Sequence, residues 1–381
     1  MKILMLTGCM ESGGAETHIA MLTEGLHQRG VDVSLLSEDG AIARRLAGSG
    51  IPWHPLPSLG RDPLNVALAR RHLRRLQENE GYHILHAHGR LPARLLRGCS
   101  DWSGAPLGIV TAHAAYPTRG MLAGLSHWGE RTVAVSEDLR ARLCDGFGVP
   151  AEAVTVIPNG IDCKRFRPAS NAGNASAVLF ASRLDRDCSL GAELFLELSM
   201  PLKKVFPGFT LTVAGGGSCL GGLLERGEAL NRAVGCDFIR FTGRVERMEE
   251  LMRLHGIFVG VSRAAMEAAA CGCAVVLCGN EGFGGFLTPE NAVPSLSNFC
   301  CRGMGQGNAR LLAEHLALLL AHPKTASALA ARGRAWITEE YAAERVVQRY
   351  EAQCKAWLRA LRRGQTQVQR GGVANGEGKC L

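Results

Sequence analysis

Several residues that could do chemistry in this 381-residue chain come soon after short runs of apolar and β-branched residues. Gly13 and Gly14 follow the first of these runs, and His113 follows a later one. Arg183 comes soon after the run Val178–Ala181. Glycines at a helix start let a phosphate or carboxylate approach the free backbone amides. A histidine can hydrogen-bond a sugar hydroxyl, and the donor fork of an arginine matches diphosphate oxygens.

The segment from Ser262 to Glu267 shows a strand that leads directly into an alanine-rich helix. Ser262 is predicted to be the N-cap of this helix, and Glu267 lies one turn after Arg263 on the same face. Glu267 could accept ribose hydroxyls while Arg263 and the helix amides bind phosphate. The alternative for Arg263 and Glu267 is an ordinary exposed ion pair. The alternative for Arg183 is a surface ion pair with a nearby aspartate.

Short strands alternate along the chain with amphipathic helices, a pattern typical of βαβ units and parallel sheets. A proline- and glycine-containing segment, Ile157–Asp162, interrupts the alternation, which then restarts. We therefore predict two α/β domains with a helix and a disordered tail after them. The predicted boundaries are 1–158 and 169–342 for the domains, 159–168 for the linker, 343–363 for the helix and 364–381 for the tail.

The net charge of +8 is concentrated in residues 61–97, which contain eight arginines and three acidic residues. Such a segment could bind an anionic membrane surface, or it could be an ordinary solvated helix face. No nucleic acid partner is expected. The fourteen cysteines are expected to be reduced, because the chain shows neither a secretion signal nor zinc-site spacing. The predicted location is cytoplasmic, with peripheral attachment at the inner face of a membrane.

Taken together, these features resemble the family 4 glycosyltransferases of GT-B fold over roughly residues 1–360. The stretches that carry the resemblance include GGAETHIAMLTEGLHQRGVDVSLL, HILHAHG, VTAHAAYP, VIPNGIDCKRFRP, FASRLD, FTLTVAGGG, FTGRV and MEAAACGCAVVL. The resemblance implies an α/β protein of GT-B architecture, with two Rossmann-like parallel-sheet domains that face each other across a cleft. It implies an acceptor-binding N-terminal domain and a C-terminal domain that binds a nucleotide-diphospho-sugar.

The resemblance also implies roles for individual residues. His113 would contact the transferred sugar, Arg183 the diphosphate and Glu267 the ribose, and these three are the predicted catalytic residues. Ser262 and Arg263 were suggested above by their place at a helix start, and the resemblance adds the other donor-binding residues. The full predicted set is Gly13, Gly14, Arg183, Gly243, Val245, Ser262, Arg263 and Glu267. The transfer would retain the anomeric configuration. No cofactor or metal is expected, and the donor would be of UDP or GDP type.

Two positions depart from the family pattern. Cys188 stands where a lysine usually follows the arginine by five residues, and Val259 stands where a first glutamate usually precedes Glu267 by eight. Arg263 is a hypothetical replacement for the missing positive charge. The favoured function is transfer to a glycan or lipid-linked acceptor in cell-envelope or exopolysaccharide synthesis. A non-catalytic partner of an active transferase and a GT-B sugar-nucleotide epimerase are the alternatives.

Overall fold

The structure is a computed structural model that describes residues 1–11, 13–56, 59, 62–170, 173–305 and 309–374, apart from the side chains of Leu122 and 364–374. The chain forms two compact units. The first contains Met1–Val135, Leu139–Ile157 and the chain from Glu344 onward, and the second contains Ser136–Asp138 and Pro158–Ala343. The chain crosses from the first unit to the second between residues 157 and 158, next to the predicted boundary at 158. It returns to the first unit between residues 343 and 344.

The first unit is built on a parallel sheet of seven strands in the order β3-β2-β1-β4-β5-β6-β7. The strands are β1 Lys2–Leu6, β2 Asp32–Ser37, β3 Trp53–Pro55, β4 Ile84–His88, β5 Leu107–Ala112, β6 Arg131–Ala134 and β7 Val154–Val156. Ile3 of β1 pairs with Val33 on one side and with Ile84 on the other. The strand order therefore reverses at β1 and β4, the position where open α/β sheets bind ligands.

The helices of the first unit cover both faces of this sheet with apolar residues. The helices that precede residue 158 are α1 Gly14–Gln28, α2 Ala41–Gly48, α3 Pro63–Glu80, α4 Arg90–Ala93, α5 Met121–Gly124 and α6 Glu137–Phe147. Ile19, Leu22 and Leu26 of α1 lie three and four residues apart and are buried, as their spacing predicts. The Asp62 side chain caps α3 by accepting a hydrogen bond from the amide of Leu64 at 3.1 Å.

The second unit is built on a six-stranded sheet in the order β10-β9-β8-β11-β12-β13, in which only β13 is antiparallel to its neighbour. Its strands are β8 Asn174–Ala181, β9 Thr210–Ala214, β10 Ile239–Gly243, β11 His255–Gly260, β12 Ala274–Gly279 and β13 Gly282–Phe286. Its helices are α7 Leu190–Val205, α8 Leu220–Val234, α9 Met248–Arg253, α10 Ser262–Ala270, α11 Ala309–Ala321 and α12 Pro323–Glu340. Five of these strands are short runs of apolar and β-branched residues, as the alternating pattern indicates, whereas the sequence of β13, GFGGF, is dominated by glycine.

The last helix, α13 Ala343–Ala374, completes the core of the first unit. Val347, Tyr350 and Trp357 are buried there in one cluster with Ile3 and Leu22. The helix was predicted to end at 363, before a disordered tail, but it continues to Ala374. Adding residues to an existing helix needs no new nucleation, so arginine and glutamine can extend it despite the glycines. Residues 375–381 of the predicted tail lie outside the described residues.

None of the helices among the described residues is both long enough and apolar enough to cross a membrane.

The packing of α1 on α13 predicts an unusual response to a glycine substitution. A Cβ at Gly25 would lie 2.5 Å from Cγ2 of Val347, whereas a Cβ at Gly48 would meet nothing within 4 Å. Overpacking costs about 1–3 kcal/mol, and replacing glycine by alanine in a helix returns up to about 1 kcal/mol. Gly25→Ala should therefore lower the Tm, and Gly48→Ala should raise it.

The same Gly25→Ala change should become stabilising in a Val347→Ala background, because the colliding methyl groups are then absent. Thermal unfolding of the four proteins, followed by circular dichroism, measures this reversal of sign. A Gly25→Ala effect that is the same in both backgrounds would contradict the packing of α1 on α13.

Candidate active site

The carboxyl ends of β1, β4 and β5 lie at one edge of the first sheet, because these adjacent strands are parallel. Gly13 and Gly14 follow β1 at this edge, and Gly14 is the first residue of α1. No described side chain caps this helix, so its first amides are open to a ligand. A Cβ at Gly14 would meet no heavy atom within 4 Å, whereas one at Gly13 would collide with the Glu16 carboxylate.

His113 follows β5 at the same edge and belongs to a cluster of four histidines. Its Nε2 lies 3.1 Å from Nδ1 of His88, the last residue of β4. The rings of His86 and His88 are 4.3 Å apart, and the His18 ring from α1 lies 5.2 Å from that of His113. His18, His86 and His88 were not predicted to be functional, although the repeated histidine in HILHAHG is a signal that could have indicated a cluster.

Three histidines of the cluster, His86, His88 and His113, have pKa values that keep them neutral at pH 7. Burial lowers the pKa of His86 to about 3 and that of His113 to about 4. Burial and the neighbouring imidazoles hold the pKa of His88 well below its usual range. His113 can therefore exchange hydrogen bonds with a hydroxyl but carries no charge for a phosphate. Among the described residues no three His, Cys, Asp or Glu side chains are placed to share a metal ion.

Arg183 lies two residues beyond β8, at the carboxyl edge of the second sheet. Its guanidinium bonds to Asp187 at 3.0 Å and to Asp185 at 3.4 Å, so the predicted surface ion pair is present. The thiol of Cys188 lies 3.3 Å from the same guanidinium, at the position where the family usually has lysine. The Arg183 side chain is 66% exposed, and exposed ion pairs are weak enough for a diphosphate to replace them.

A glycine-rich loop, Gly215–Gly217, follows β9 and fixes the segment that carries Arg183. Gly215 has φ of +139°, and a Cβ there would collide with the Ser182 carbonyl. The amide of Leu184 donates to the Gly216 carbonyl at 2.9 Å. This loop was not among the predicted site residues, although three glycines directly after a strand are the sequence signal for it.

The neighbouring strand β10 ends at Gly243, which has φ of +63° and no atom within 4 Å of an added Cβ. The Gly243 carbonyl accepts a hydrogen bond from the amide of Gly215 at 2.8 Å. Val245 is half-buried against the core of the second unit. Both of these predicted donor-binding residues thus lie at the same sheet edge as Arg183.

The prediction that Ser262 caps α10 is wrong. Val261 occupies the cap position, and Ser262 is the first helical residue, with φ of +56°. Its amide donates to the carbonyl of Phe299 at 2.7 Å, a contact distant in sequence that local patterns cannot reveal. Left-handed backbone costs a non-glycine residue about 1–2 kcal/mol, so the tight turn from β11 into α10 is held by its surroundings.

The Arg263–Glu267 pair is present but buried rather than exposed. Nε of Arg263 lies 2.7 Å from Oε1 of Glu267, and both side chains are only 13% exposed. The guanidinium also donates to the Gly160 carbonyl at 3.3 Å. Burial raises the pKa of Glu267, while the charge of Arg263 acts in the opposite direction. Arg263 therefore already has a carboxylate partner within the protein.

Val259, at the position of the family's first glutamate, is fully buried in the core of the second unit. It lies inside β11, which ends at Gly260, only one residue before the cap of α10. No loop separates strand and helix there, so this position cannot present a side chain to a sugar.

Two Rossmann-like α/β units, each built on a sheet of mainly parallel strands, are the two domains of a GT-B fold. A crystal structure of a glycosyltransferase from Rickettsia africae has this fold, with a TM-score of 0.74 and 18% identity over 93% of this chain and 98% of that one. The crystal structure of Anabaena HepE in complex with UDP has a TM-score of 0.72, with 18% identity over 93% of this chain and all of that one.

Two family models match the chain. The model described as Glycosyltransferase Family 4 matches residues 12–165, and that described as Glycosyl transferase-like matches residues 198–352. The putative glycosyltransferase EpsF of Bacillus subtilis is 25% identical over 72% of this chain and 78% of its own length. The D-inositol 3-phosphate glycosyltransferase of Acidothermus cellulolyticus is 26% identical over 72% of each chain. The N-terminal part of the chain thus matches glycosyltransferase family 4, the C-terminal part matches a glycosyl transferase-like model, and the chain is a transferase enzyme.

The buried histidines predict a loss of stability in acid. Because the folded state holds the pKa of His86 and His113 below the unfolded value, the unfolded state binds more protons between about pH 7 and pH 4. The free energy of unfolding should therefore fall as the pH falls through this range, by up to about 1.4 kcal/mol per unit of pKa depression.

His86→Gln should flatten the pH dependence of the Tm, and His72→Gln, on the exposed face of α3, is the control. Identical pH profiles for wild type and His86→Gln would refute the neutral cluster.

The buried Arg263–Glu267 pair predicts that its two members depend on each other. Arg263→Ala leaves an unpaired buried carboxylate and should destabilise the protein by about 3–5 kcal/mol. The double variant Arg263→Gln/Glu267→Gln replaces both charges with amides and should recover at least half of that loss. Chemical denaturation of the three proteins checks this, and an Arg263→Ala variant as stable as wild type would show that the pair is not buried.

Proposed function

We propose that this enzyme transfers a sugar from a nucleotide-diphospho-sugar of UDP or GDP type to a glycan or lipid-linked acceptor, with retention of anomeric configuration. The observation that carries the proposal is the convergence of four features at the carboxyl edge of the second sheet. These are Arg183, the loop Gly215–Gly217, Gly243 and the start of α10. Together they offer a cation, close backbone approach and helix amides to a diphosphate.

In this proposal the second unit binds the donor. Arg183 and the amides at the start of α10 bind the diphosphate, on which negative charge develops as the sugar leaves. Glu267 accepts hydrogen bonds from the ribose, and backbone atoms near Gly243 and Val245 contact the base. The complex of HepE with UDP supports a nucleotide donor, because that protein has the same fold.

The first unit binds the acceptor in this proposal, and its neutral histidines suit a sugar. His113 exchanges a hydrogen bond with a hydroxyl of the transferred sugar, and its contact with His88 fixes the ring orientation. Gly14 leaves space for the reacting groups beside the open amides of α1, and Gly13 precedes it at the helix start. Most of the catalysis then comes from positioning and charge stabilisation, and the reaction proceeds without a metal.

The proposed products are cell-envelope glycans or exopolysaccharides. The resemblance to family 4 transferases supports this product class. We further propose that the enzyme works in the cytoplasm at the inner face of a membrane, where the arginine-rich segment 61–97 meets anionic lipid.

The donor is tested by thermal shift and by nucleotide release with UDP-, GDP-, ADP- and CDP-sugars. A ligand present at 100 times its Kd should stabilise the folded protein by about 2.7 kcal/mol. A UDP- or GDP-sugar should raise the Tm, and free nucleotide should be released at a rate that EDTA does not change. The anomeric signals of the product in NMR report retention. Stabilisation without any release would instead indicate a non-catalytic binding protein.

Arg183 provides the sharpest test of the site. Arg183→Ala should weaken UDP binding at least tenfold in titration calorimetry, because charged hydrogen bonds contribute about 1.5–3 kcal/mol each. Arg186→Ala removes an exposed arginine three residues away and should leave the affinity nearly unchanged. Equal effects of the two substitutions would contradict the assignment of Arg183 to the diphosphate.

A further inference from the structure

The first unit contains a cavity of about 610 Å³ beside α3, and several arginines line it. None of the residues assigned above to the donor or to the transferred sugar lines it. The residues that determine its chemistry are Arg70, Arg71, Arg74, Arg94, Arg97 and Trp102. We call it the arginine cavity.

The guanidinium groups of the arginine cavity come from two separate stretches of chain. Arg70, Arg71 and Arg74 lie on adjacent turns of α3, and Arg94 and Arg97 lie at the two ends of the 3-10 turn that follows α4. The tertiary structure therefore brings together positive charges that are about 20 residues apart in the sequence. A concave arrangement of forked donors suits an anion with several oxygens better than a flat basic surface does.

The positive charge of the cavity is only partly neutralised within the protein. Arg74 forms an exposed ion pair with Glu78 at 3.4 Å. Across the described part of the chain, Arg71, Arg94 and Arg97 form no ion pair with a carboxylate. Like charges held together without counterions repel each other, so an anion that enters the cavity relieves that repulsion.

The side chain of Arg70 connects two parts of the cavity lining. The Arg70 guanidinium lies 5.7 Å from the ring centre of Trp102 and donates a hydrogen bond to the Arg97 carbonyl. These contacts connect α3 to the segment that contains Arg97 and Trp102. Close by, burial and the charges of Arg97 and Arg70 lower the pKa of His127, whose buried Nε2 has no hydrogen-bond partner in the described structure.

The surroundings of the cavity are apolar. Val66 and Leu125 line it, and Leu64 and Leu68 on α3 are 65% and 52% exposed. An anionic group attached to an apolar chain would satisfy both the guanidinium groups and this exposed apolar surface. A free anion would satisfy only the guanidinium groups.

We propose that the arginine cavity binds a phosphate or diphosphate group that is carried by the lipid of the acceptor. The assignment to an acceptor rests on the proposed function, whereas phosphate binding in the cavity does not. The guanidinium groups bind the phosphate oxygens, and the leucines of α3 contact the lipid chain. The cavity thereby selects acceptors whose lipid carries a phosphate.

Inorganic diphosphate is the probe for the cavity itself. Titration calorimetry is done with excess UDP, so that the donor site is occupied. Arg71→Gln/Arg94→Gln should weaken diphosphate binding at least tenfold, and Arg75→Gln/Arg119→Gln, which removes the same charge from exposed positions outside the cavity, should change it less than twofold. Binding that is absent in wild type, or equally reduced in both double variants, would overturn the proposal.

Vesicles distinguish a lipid phosphate from a soluble one. Wild type should sediment with vesicles that contain phosphatidylglycerol but not with pure phosphatidylcholine, and diphosphate should displace it. The Arg71→Gln/Arg94→Gln variant should lose this binding, and the control double variant should keep it. Equal vesicle binding by the two double variants would overturn the assignment to a lipid.

The proposed function can fail separately from the cavity. Nucleotide release from the donor without acceptor should be the same in wild type and in the Arg71→Gln/Arg94→Gln variant. If no nucleotide sugar is bound or cleaved but the cavity variant still loses diphosphate, the proposed function is refuted and the phosphate site stands. Diphosphate should also raise the pKa of His127, measured by NMR, because the anion offsets the charges of Arg97 and Arg70.

Discussion

Parallel strand pairing determines where the polar residues of both units lie. Each parallel strand ends at the same edge of its sheet as its neighbours, and a helix that follows it begins there with free amides. In the second unit this edge carries the loop after β9 and the starts of α7, α8 and α10. An affinity for anions thus follows from the topology, and individual side chains adjust it. The residues that make the turns, such as Gly215 and Ser262, must accept the backbone angles that the edge imposes.

The charges at this edge differ in how easily a ligand can use them. Arg183 shares its guanidinium with two exposed aspartates, whose attraction is weak in water. Arg263 is held in a buried pair with Glu267, which is costly to separate. The two arginines are therefore not equivalent: Arg183 is the more accessible cation, and Arg263 is held against Glu267. With Cys188 in place of lysine, the proposed donor site has one positive charge fewer than the family pattern.

Most regular elements were predictable because their strands are short apolar runs and their helices have periodic apolar faces. The position of Arg183 was predictable for the same reason, since the end of a parallel strand fixes which edge it occupies. Contacts between distant residues were not predictable. The histidine cluster depends on the pairing of β4 with β5, and the conformation of Ser262 depends on the Phe299 carbonyl. The glycine-rich strand β13 has no apolar run to reveal it.

The return of the chain to the first unit has a consequence for biosynthesis. The core around Ile3 and Leu22 is closed by Val347, Tyr350 and Trp357, which are translated only after the entire second unit. A nascent chain therefore displays an unfinished apolar surface in its first unit while the second unit is being made and folded. Such a surface is prone to aggregation and is what chaperones recognise. The core that begins with the earliest part of the chain to leave the ribosome can thus be completed only after the second unit has been translated.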